Sequence, residues 1–171
     1  MQFSIGIEYA LHCLLHLCSL PSEKSVGIKE LAAYQGVSET YLSKVFTKLG
    51  KAGIVHSVPG ANGGYELGRS PENITFWDVV EAIEGKKSLF QCAEIRQNEV
   101  LLDKNNLPDS YTSCPCLIKV VMTEAEEQMS RYLRSKTLAW LHGQVKSKIP
   151  EDYMNETVQW FSESKSRKRR G

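Results

Sequence analysis

Apolar residues recur every three or four positions over the first twenty residues and in two shorter stretches that follow. Such spacing places side chains on one face of a helix, so it predicts helices over residues 3–20, 26–35 and 38–53. Gly36 ends the second helix and Ser38 caps the amino terminus of the third, as these residue types commonly do. The second and third helices, with the glycine between them, have the pattern of a helix-turn-helix.

Two strand-like stretches follow the third helix, residues 54–58 and 65–67, and they flank a glycine-rich loop. Apolar and polar side chains alternate in the first of them, and glycines permit the tight return of the chain. A hairpin after a helix-turn-helix is the wing of a winged helix-turn-helix domain. A fourth helix, capped by Thr75 and ended by Gly85, completes the predicted DNA-binding domain.

Helical periodicity is poor over residues 86–116 but returns from Leu117 to about Val145. A helix of that length, roughly 40 Å, is longer than so small a domain covers, so its apolar stripe predicts a homodimer. We expect a mainly α fold with a small β wing and a long dimerisation helix. The predicted segments are the winged helix-turn-helix domain (1–85), a cysteine-bearing sensor loop (86–116), a dimerisation helix with a C-terminal segment that packs on the dimer (117–163) and a basic, disordered tail (164–171).

The chain has 171 residues, of which 42% are hydrophobic, enough for one core. Basic side chains number six against five acidic ones over residues 1–70, ten against fifteen over 71–163, and five against none after that. Only part of the surface therefore suits a phosphate backbone. No apolar run is long enough to cross a bilayer and no signal peptide is present, so we expect a cytoplasmic protein without a membrane partner.

The third predicted helix has a polar side with three lysines and no acidic residue after Glu39. Lysines supply affinity for phosphates, while hydroxyl groups and Tyr41 suit base edges or phosphates. The candidate DNA-binding residues are Ser38, Thr40, Tyr41, Ser43, Lys44, Lys48 and Lys51 on this helix, and Ser57, Asn62 and Gly63 in the wing. A solvated helix face and a protein-interaction adapter are the alternatives.

The histidines give no indication of an enzyme. His16, His56 and His142 lie on different predicted elements, without a carboxylate to orient them or a nucleophile beside them. The sequence therefore predicts a binding protein without catalytic residues.

The five cysteines are an odd number at irregular spacing, which argues against a disulfide framework. Thiol chemistry or metal ligation is the better explanation for some of them. Cys13 and Cys18, on the first helix, are expected to be buried as small hydrophobic residues.

Three stretches carry a resemblance to a known family: EYALHCLLHL in the first helix, VSETYLSKVFTKLGKAGIVHSVPGANGGYELGR through the helix-turn-helix and wing, and ITFWDVVEAIEG after them. With these the chain closely resembles the IscR/NsrR/CymR-type family of bacterial winged-helix regulators. The resemblance implies a dimeric transcription factor that places its third helix in the major groove of DNA. Family members often carry an acidic residue and an arginine where this chain has Ser43 and Pro59, which implies a different operator.

The resemblance also implies a sensor of redox state, nitric oxide or iron–sulfur supply. Iron–sulfur members usually hold three evenly spaced cysteines before the long helix, whereas this chain has Cys92 and then only Cys114 and Cys116. Because the first helix of one subunit lies near the cysteine loop of the other in this family, the resemblance implies a [2Fe–2S] cluster held across the dimer. Its ligands would be Cys114 and Cys116 of one subunit with Glu8 and His12 of its mate.

Several alternatives to this ligand set stay open. Glu8 and His12 lie four residues apart and would also form a solvated helical ion pair. The other interpretations are a cluster that recruits Cys92 instead of a first-helix residue, a cluster-free thiol switch between Cys92 and either Cys114 or Cys116, and control by a regulatory protein partner.

Overall fold

The computed structural model describes residues 2–21, 24–60 and 63–167, with side chains described as far as residue 164. Within these residues the chain is mainly helical with one small antiparallel sheet, which confirms the predicted fold class. The helices are α1 (Ile5–Ser19), α2 (Ile28–Gln35), α3 (Glu39–Lys51), α4 (Phe76–Glu84), α5 (Asp109–Thr112), α6 (Leu117–Arg134), α7 (Leu138–Lys146) and α8 (Glu151–Arg167), and the strands are β1 (Val55–Val58) and β2 (Gly64–Leu67).

Local sequence signals set the ends of α2 and α3, as predicted. Gly36 takes the left-handed conformation after α2, with φ of 66°, and its N–H donates to the carbonyls of Ala32 and Ala33 in the last turn of the helix. The Ser38 hydroxyl accepts the N–H of Tyr41 at 3.3 Å and caps α3. The fully buried side chains of α1, α2 and α3 include Leu14, Leu31, Leu42, Phe46 and Leu49.

The predicted wing forms, and it is bonded to the chain just ahead of α2. β1 and β2 pair antiparallel, with Val55 opposite Leu67. An isolated bridge joins the hairpin to Val26, whose N–H donates to the Tyr65 carbonyl at 3.0 Å and whose carbonyl accepts the Tyr65 N–H at 2.7 Å. A Cβ at Gly64 would lie 2.4 Å from the Val26 carbonyl carbon, so this close approach requires glycine.

The single long helix predicted from Leu117 to about Val145 is wrong, because residues 135–137 separate α6 from α7. Main-chain pairing with the start of α4 explains the interruption. The N–H of Phe76 donates to the Lys136 carbonyl at 2.9 Å, so this carbonyl is bonded outside its own helix.

The start of α7 is fixed by its own cap and by the core. Thr137 accepts the N–H of Trp140 at 3.1 Å. The N–H of Leu138 donates to the Ile74 carbonyl at 2.9 Å, and the Leu138 side chain is fully buried. Helix α7 therefore belongs to the same core as α1 to α4.

The C-terminal segment forms α8 and packs within its own chain, whereas the sequence predicts packing on a dimer. The Phe161 ring is 3% exposed and lies 4.8 Å from Tyr34 and 5.6 Å from His16, measured between ring centroids. Residues 164–167 continue this helix, so the predicted disorder of the tail is not seen there. The rest of the predicted tail, 168–171, lies outside the described residues.

The chain divides into two compact units. The larger consists of residues 2–86 together with those from residue 133 onward, and it contains every buried side chain of the described residues. The smaller consists of residues 87–132, and none of its residues is buried. Among the described residues no helix has the length and apolar character needed to cross a bilayer.

Candidate functional site

Helix α3 presents a polar side to solvent because its apolar side is held in the core. Its four buried residues are Leu42, Val45, Phe46 and Leu49. On the other side Thr40, Lys44 and Lys51 are exposed, and no hydrogen bond joins their side chains to another described residue. These three side chains are therefore available to an external ligand.

Other polar residues of α3 are engaged within the chain. The Ser43 hydroxyl donates to the Glu39 carbonyl at 2.9 Å, and the Thr47 hydroxyl donates to the Ser43 carbonyl at 2.8 Å. The Tyr41 ring lies edge-on to Tyr9 of α1, with 5.6 Å between the ring centroids. The Ser43 and Thr47 hydroxyls can still accept a hydrogen bond from a base edge, but to donate one they would have to leave their present partners.

Lys48 is bonded to another helix of the same chain. Its ammonium donates to the Ile83 carbonyl at 2.6 Å, near the C-terminal end of α4. The C-terminal end of a helix carries partial negative charge, which favours a cation there. Lys48 thus links α3 to α4, and a phosphate would compete with this bond.

The wing places its predicted contacts around the turn of the hairpin. Ser57 is exposed on β1, and the Gly63 N–H donates to the Gly60 carbonyl at 2.9 Å. His56 and Glu66 face each other across the strands, with 3.4 Å between Nε2 and Oε2. Asn62 lies outside the described residues.

In the smaller unit, Arg96 holds two distant parts of the cysteine segment together. Its Nε donates to Glu94 Oε2 at 2.9 Å, and its Nη2 donates to the carbonyls of Tyr111 and Cys114. The Cys92 Sγ lies 3.6 Å from Glu94 Oε1. The guanidinium therefore joins the stretch around Cys92 to the stretch that precedes α6.

Cys116 stands directly before α6 and is the activated thiol of this segment. The pKa of its thiol lies below its ordinary value, chiefly because the Lys119 N–H donates to the sulfur, as does the Ile118 N–H. A hydrogen bond with the Cys92 side chain and the charge of Arg96 act in the same direction. The start of a helix favours thiolate for the same reason that it binds anions.

Cys114 occupies a different position. Its side chain is exposed, with Sγ 3.9 Å from the Ser113 hydroxyl. Arg96 bonds its carbonyl and not its sulfur. The Cys92 side chain therefore interacts with Cys116. Among the described residues, the Cys114 sulfur is bonded to neither of these two cysteines.

Glu8 and His12 lie one turn apart on the exposed side of α1. No hydrogen bond or ion pair joins them to each other or to another described residue, so the helical ion pair is not seen. Both border a groove of about 620 Å³ in the larger unit. Its apolar lining includes Phe3, Ile7, Leu11, Phe76, Leu141 and Val145.

One chain does not assemble a metal site on its own. Among the residues that the structure describes, no three His, Cys, Asp or Glu side chains lie together so that they would hold a metal ion. Cys92 and Cys116 form one pair of potential ligands in the smaller unit. Glu8 and His12 form another in the larger unit.

The two cysteines of α1 are unsuited to thiol chemistry. Burial raises the pKa of Cys13 to about 12, and Cys13 is fully buried as predicted. Cys18 is half-buried, and its pKa is raised by burial and then by the charge of Glu72. Both thiols therefore stay protonated near neutral pH.

Sequence reasoning missed Glu94 and Arg96. They lie in a segment without periodicity. Two of the partners of Arg96 are main-chain carbonyls, and because every residue has one, the sequence does not indicate which of them would be bonded. The only signal was an acidic and a basic residue two positions apart shortly after Cys92.

With this geometry in place, comparison with known proteins identifies the family. The model of the Rrf2 family, described as an iron-dependent transcriptional regulator, matches residues 3–144. The chain belongs to the Rrf2 family. It is 35% identical to the HTH-type transcriptional regulator NsrR of Geobacillus kaustophilus over 139 residues, which cover 81% of this chain and 88% of NsrR.

Solved structures agree with this assignment. IscR of T. potens superposes with a TM-score of 0.64 at 26% identity, covering 91% of this chain and 96% of IscR. CymR, the global cysteine regulator of B. subtilis, superposes with a TM-score of 0.59 at 28% identity, covering 84% of this chain and 98% of CymR. This Rrf2-family protein is thus a DNA-binding transcriptional regulator. The predictions of the family and of a non-enzymatic protein are confirmed.

Proposed function

We propose that this protein is a cytoplasmic, homodimeric repressor that binds double-stranded operator DNA and senses redox state, nitric oxide or iron–sulfur supply through a [2Fe–2S] cluster. The observation that carries the proposal is the polar side of α3, where Thr40, Lys44 and Lys51 are exposed and unengaged. A helix with this arrangement, followed by a wing, suits the major groove with its phosphate walls.

DNA binding is tested on the duplex upstream of the protein's own gene, in a salt titration of the affinity. Lys44→Ala should weaken binding and reduce the slope of log K against log salt by about one, because one phosphate contact is lost. Lys146→Ala, which removes the same charge from α7, should leave the slope unchanged. Absence of a salt-sensitive specific complex with every cofactor form would contradict the proposal.

Two observations support a homodimer. The smaller unit has no buried residue of its own, although α6 carries large apolar side chains. Leu117 is 79% exposed, Ile118 65% and Val121 62%. Exposed apolar surface costs free energy in water, and this cost is removed when another surface covers it. The groove bordered by Glu8 and His12 is a second exposed apolar surface. A second copy of the chain supplies both surfaces at once.

The donor set fits a [2Fe–2S] cluster shared between two chains. Thiolates are the usual ligands of such clusters, and imidazole nitrogen also serves. The adjacent Cys92 and Cys116 side chains supply two sulfurs, so their proximity favours Cys92 in place of the predicted Cys114. Glu8 and His12 of a second chain, unengaged in their own, would complete four ligands. A cluster held there would supply one-electron chemistry and a site for nitric oxide.

Anaerobic reconstitution tests this ligand set by visible absorbance and by iron and sulfide analysis. Cys92→Ser and Cys116→Ser should lose the colour, and His12→Ala should bind less iron. Cys114→Ser and the matched control Cys18→Ser should reconstitute like the wild type. Loss of colour in Cys114→Ser but not in Cys92→Ser would restore the predicted Cys114 and Cys116 pair. A colourless, iron-free wild type would contradict the cluster.

The Cys92 side chain is one of the groups that lower the pKa of the Cys116 thiol, which also favours a second candidate, a cluster-free thiol switch. Diamide would take two electrons and two protons from the two thiols, which form a disulfide while diamide becomes the hydrazine. Mass spectrometry of oxidised, metal-free protein should then show a crosslink between the two peptides, and Cys114→Ser should not prevent it. The thiol switch is favoured over the cluster if the crosslink changes the affinity for DNA and the protein binds no iron on anaerobic reconstitution.

A further inference from the structure

The basic run at the C-terminal end of the sequence, residues 164–171, has no role in the proposed function. Five of its eight residues are Lys or Arg, and none is acidic. The preceding 163 residues carry 16 basic side chains against 20 acidic ones, so the chain is net positive only because of this run. A block of like charges repels itself, and a polyanion relieves that repulsion. The basic run therefore suits a partner with closely spaced negative charges.

Helix α8 fixes the place on the larger unit where the basic run begins. The Phe161 ring is buried and packs on Tyr34 of α2, with 4.8 Å between ring centroids. The next residue, Ser162, accepts a hydrogen bond from Lys24 Nζ at 2.9 Å. The helix continues to Arg167, about 7.5 Å beyond Ser162 at 1.5 Å per residue. The start of the basic run is thus anchored close to the chain that leads into α2.

The same stretch of chain is bonded to the wing. Two residues after Lys24, Val26 pairs with Tyr65 of β2 through main-chain hydrogen bonds of 3.0 and 2.7 Å. Tyr65 lies opposite Ser57, in the last pair but one of the sheet before the turn of the hairpin. Ser57 is one of the proposed DNA contacts of the wing. The basic run therefore begins on the side of the larger unit where those contacts lie.

Duplex DNA is the polyanion that fits this position. It carries one negative charge per about 1.7 Å of its axis, so Lys and Arg side chains beside the wing gain phosphate contacts without a precise geometry. An anionic membrane is the other extended polyanion, but no residue after Phe161 is apolar. Membrane-surface segments combine basic charge with apolar side chains that enter the bilayer, and the basic run has none to insert.

We propose that the basic run is a second DNA contact, which binds phosphates next to those reached by the wing. This inference rests on the proposed binding of operator DNA. Phosphate contacts carry no direct sequence information, because they do not touch base edges. The basic run should therefore raise the affinity for operator DNA and for unrelated DNA by the same factor.

The test compares the full-length protein with a variant that combines Lys168→Gln, Arg169→Gln and Arg170→Gln. These positions lie beyond the described part of α8, so the core around Phe161 keeps all of its side chains. The matched control combines Lys104→Gln, Lys146→Gln and Lys148→Gln, which removes three charges from exposed positions outside the run. Fluorescence anisotropy gives the affinity of each protein, in the same cofactor form, over a range of salt concentrations. The two probes are the duplex upstream of the protein's own gene and a duplex of equal length and scrambled sequence.

The basic-run variant should bind both duplexes at least about tenfold more weakly at about 0.1 M salt. The slope of log K against log salt should decrease by about one for each phosphate contact that is lost. The ratio of the two affinities should stay at the wild-type value, because no base contact is removed. The control variant should bind both duplexes like the wild type.

Wild-type affinity and slope in the basic-run variant, or tighter binding by it, would overturn this inference alone, since specific binding by the wild type would still uphold the proposed function. A loss confined to the operator duplex would overturn it as well. A wild type that forms no salt-sensitive specific complex in any cofactor form would contradict both.

Vesicles of phosphatidylcholine and phosphatidylglycerol test the membrane as the partner. Neither the wild type nor the basic-run variant should sediment with them at about 0.1 M salt, where surface charges are partly screened. Cosedimentation that is lost in the basic-run variant, together with unchanged binding of both duplexes, would assign the run to a membrane surface and overturn the proposal.

Discussion

Among single residues, His16 has its charge state strongly controlled by the fold. Its ring lies among Gln35, Tyr34 and Phe161, and burial together with His12 lowers its pKa to about 4. The folded chain thus stabilises the neutral ring, although a histidine titrates ordinarily near 6.5. The folded state therefore resists protonation over a range in which the unfolded chain accepts a proton.

This difference predicts how stability depends on pH. As the pH falls from 6.5 towards 4, the unfolded chain binds a proton at His16 and the folded chain does not, so the free energy of unfolding decreases. The loss attributable to this group is at most about 3 kcal/mol. Urea unfolding across this range should show a shallower pH dependence in His16→Gln than in the wild type. Equal slopes would show that His16 is protonated freely in the folded chain.

The hydrogen-bond partners of the polar side chains on α3 could not be predicted from the sequence. The polar side of the helix follows directly from the spacing of Leu42, Phe46 and Leu49. The sequence does not show that Lys48 is bonded to the Ile83 carbonyl, because that partner is a main-chain atom 35 residues away. Periodicity assigns a side chain to a face, and only the packed structure assigns its hydrogen bonds.

Among the elements, the wing depends on one close approach between two main chains. The bridge between Val26 and Tyr65 holds β2 against the chain before α2, and Gly64 stands where any Cβ would meet that chain. The hairpin is therefore anchored at its base as well as paired within itself.

Gly64→Ala should break this anchorage. The new Cβ would lie 2.4 Å from the Val26 carbonyl carbon and 2.8 Å from the Gly27 nitrogen, so the strands must separate. We expect a loss of about 1–3 kcal/mol in the free energy of unfolding. Gly143→Ala is the matched control: no atom lies within 4 Å of its Cβ position inside α7, and it should gain roughly 0.5–1 kcal/mol. Wild-type stability of Gly64→Ala in denaturant titrations would refute the anchorage.

The interruption between α6 and α7 shows why the predicted long helix was wrong. Residues 135–137 contain no glycine or proline, so local propensity allowed the helix to continue. Tertiary pairing of Thr75 with Thr137 overrode that propensity. The available signal was Thr137 itself, a good N-cap directly before the apolar residue Leu138.

For the whole molecule, the absence of buried residues from 87–132 is the main feature. A segment of this kind gains little from folding alone, and the exposed apolar side of α6 remains to be covered. The proposed homodimer rests on that surface.

Val121→Glu should therefore dissociate the dimer, because it places a charge in the proposed interface. Thr123→Glu introduces the same charge two positions along α6, about 200° around the helix, and should remain dimeric. Light scattering after size-exclusion chromatography gives the mass of each species. A wild-type monomer, or a dimer in Val121→Glu, would exclude α6 as the interface.

The order of the two units along the chain also constrains how such a regulator can be rebuilt. Leu138 and Phe161 belong to the same core as Leu14, so the DNA-binding half is discontinuous in sequence. A gene cut once at residue 85 would encode a fragment that lacks part of its own core. Residues 87–132 are instead inserted between the two parts of the larger unit. Chimeras that exchange residues 87–132 between relatives would therefore keep the core of the larger unit intact.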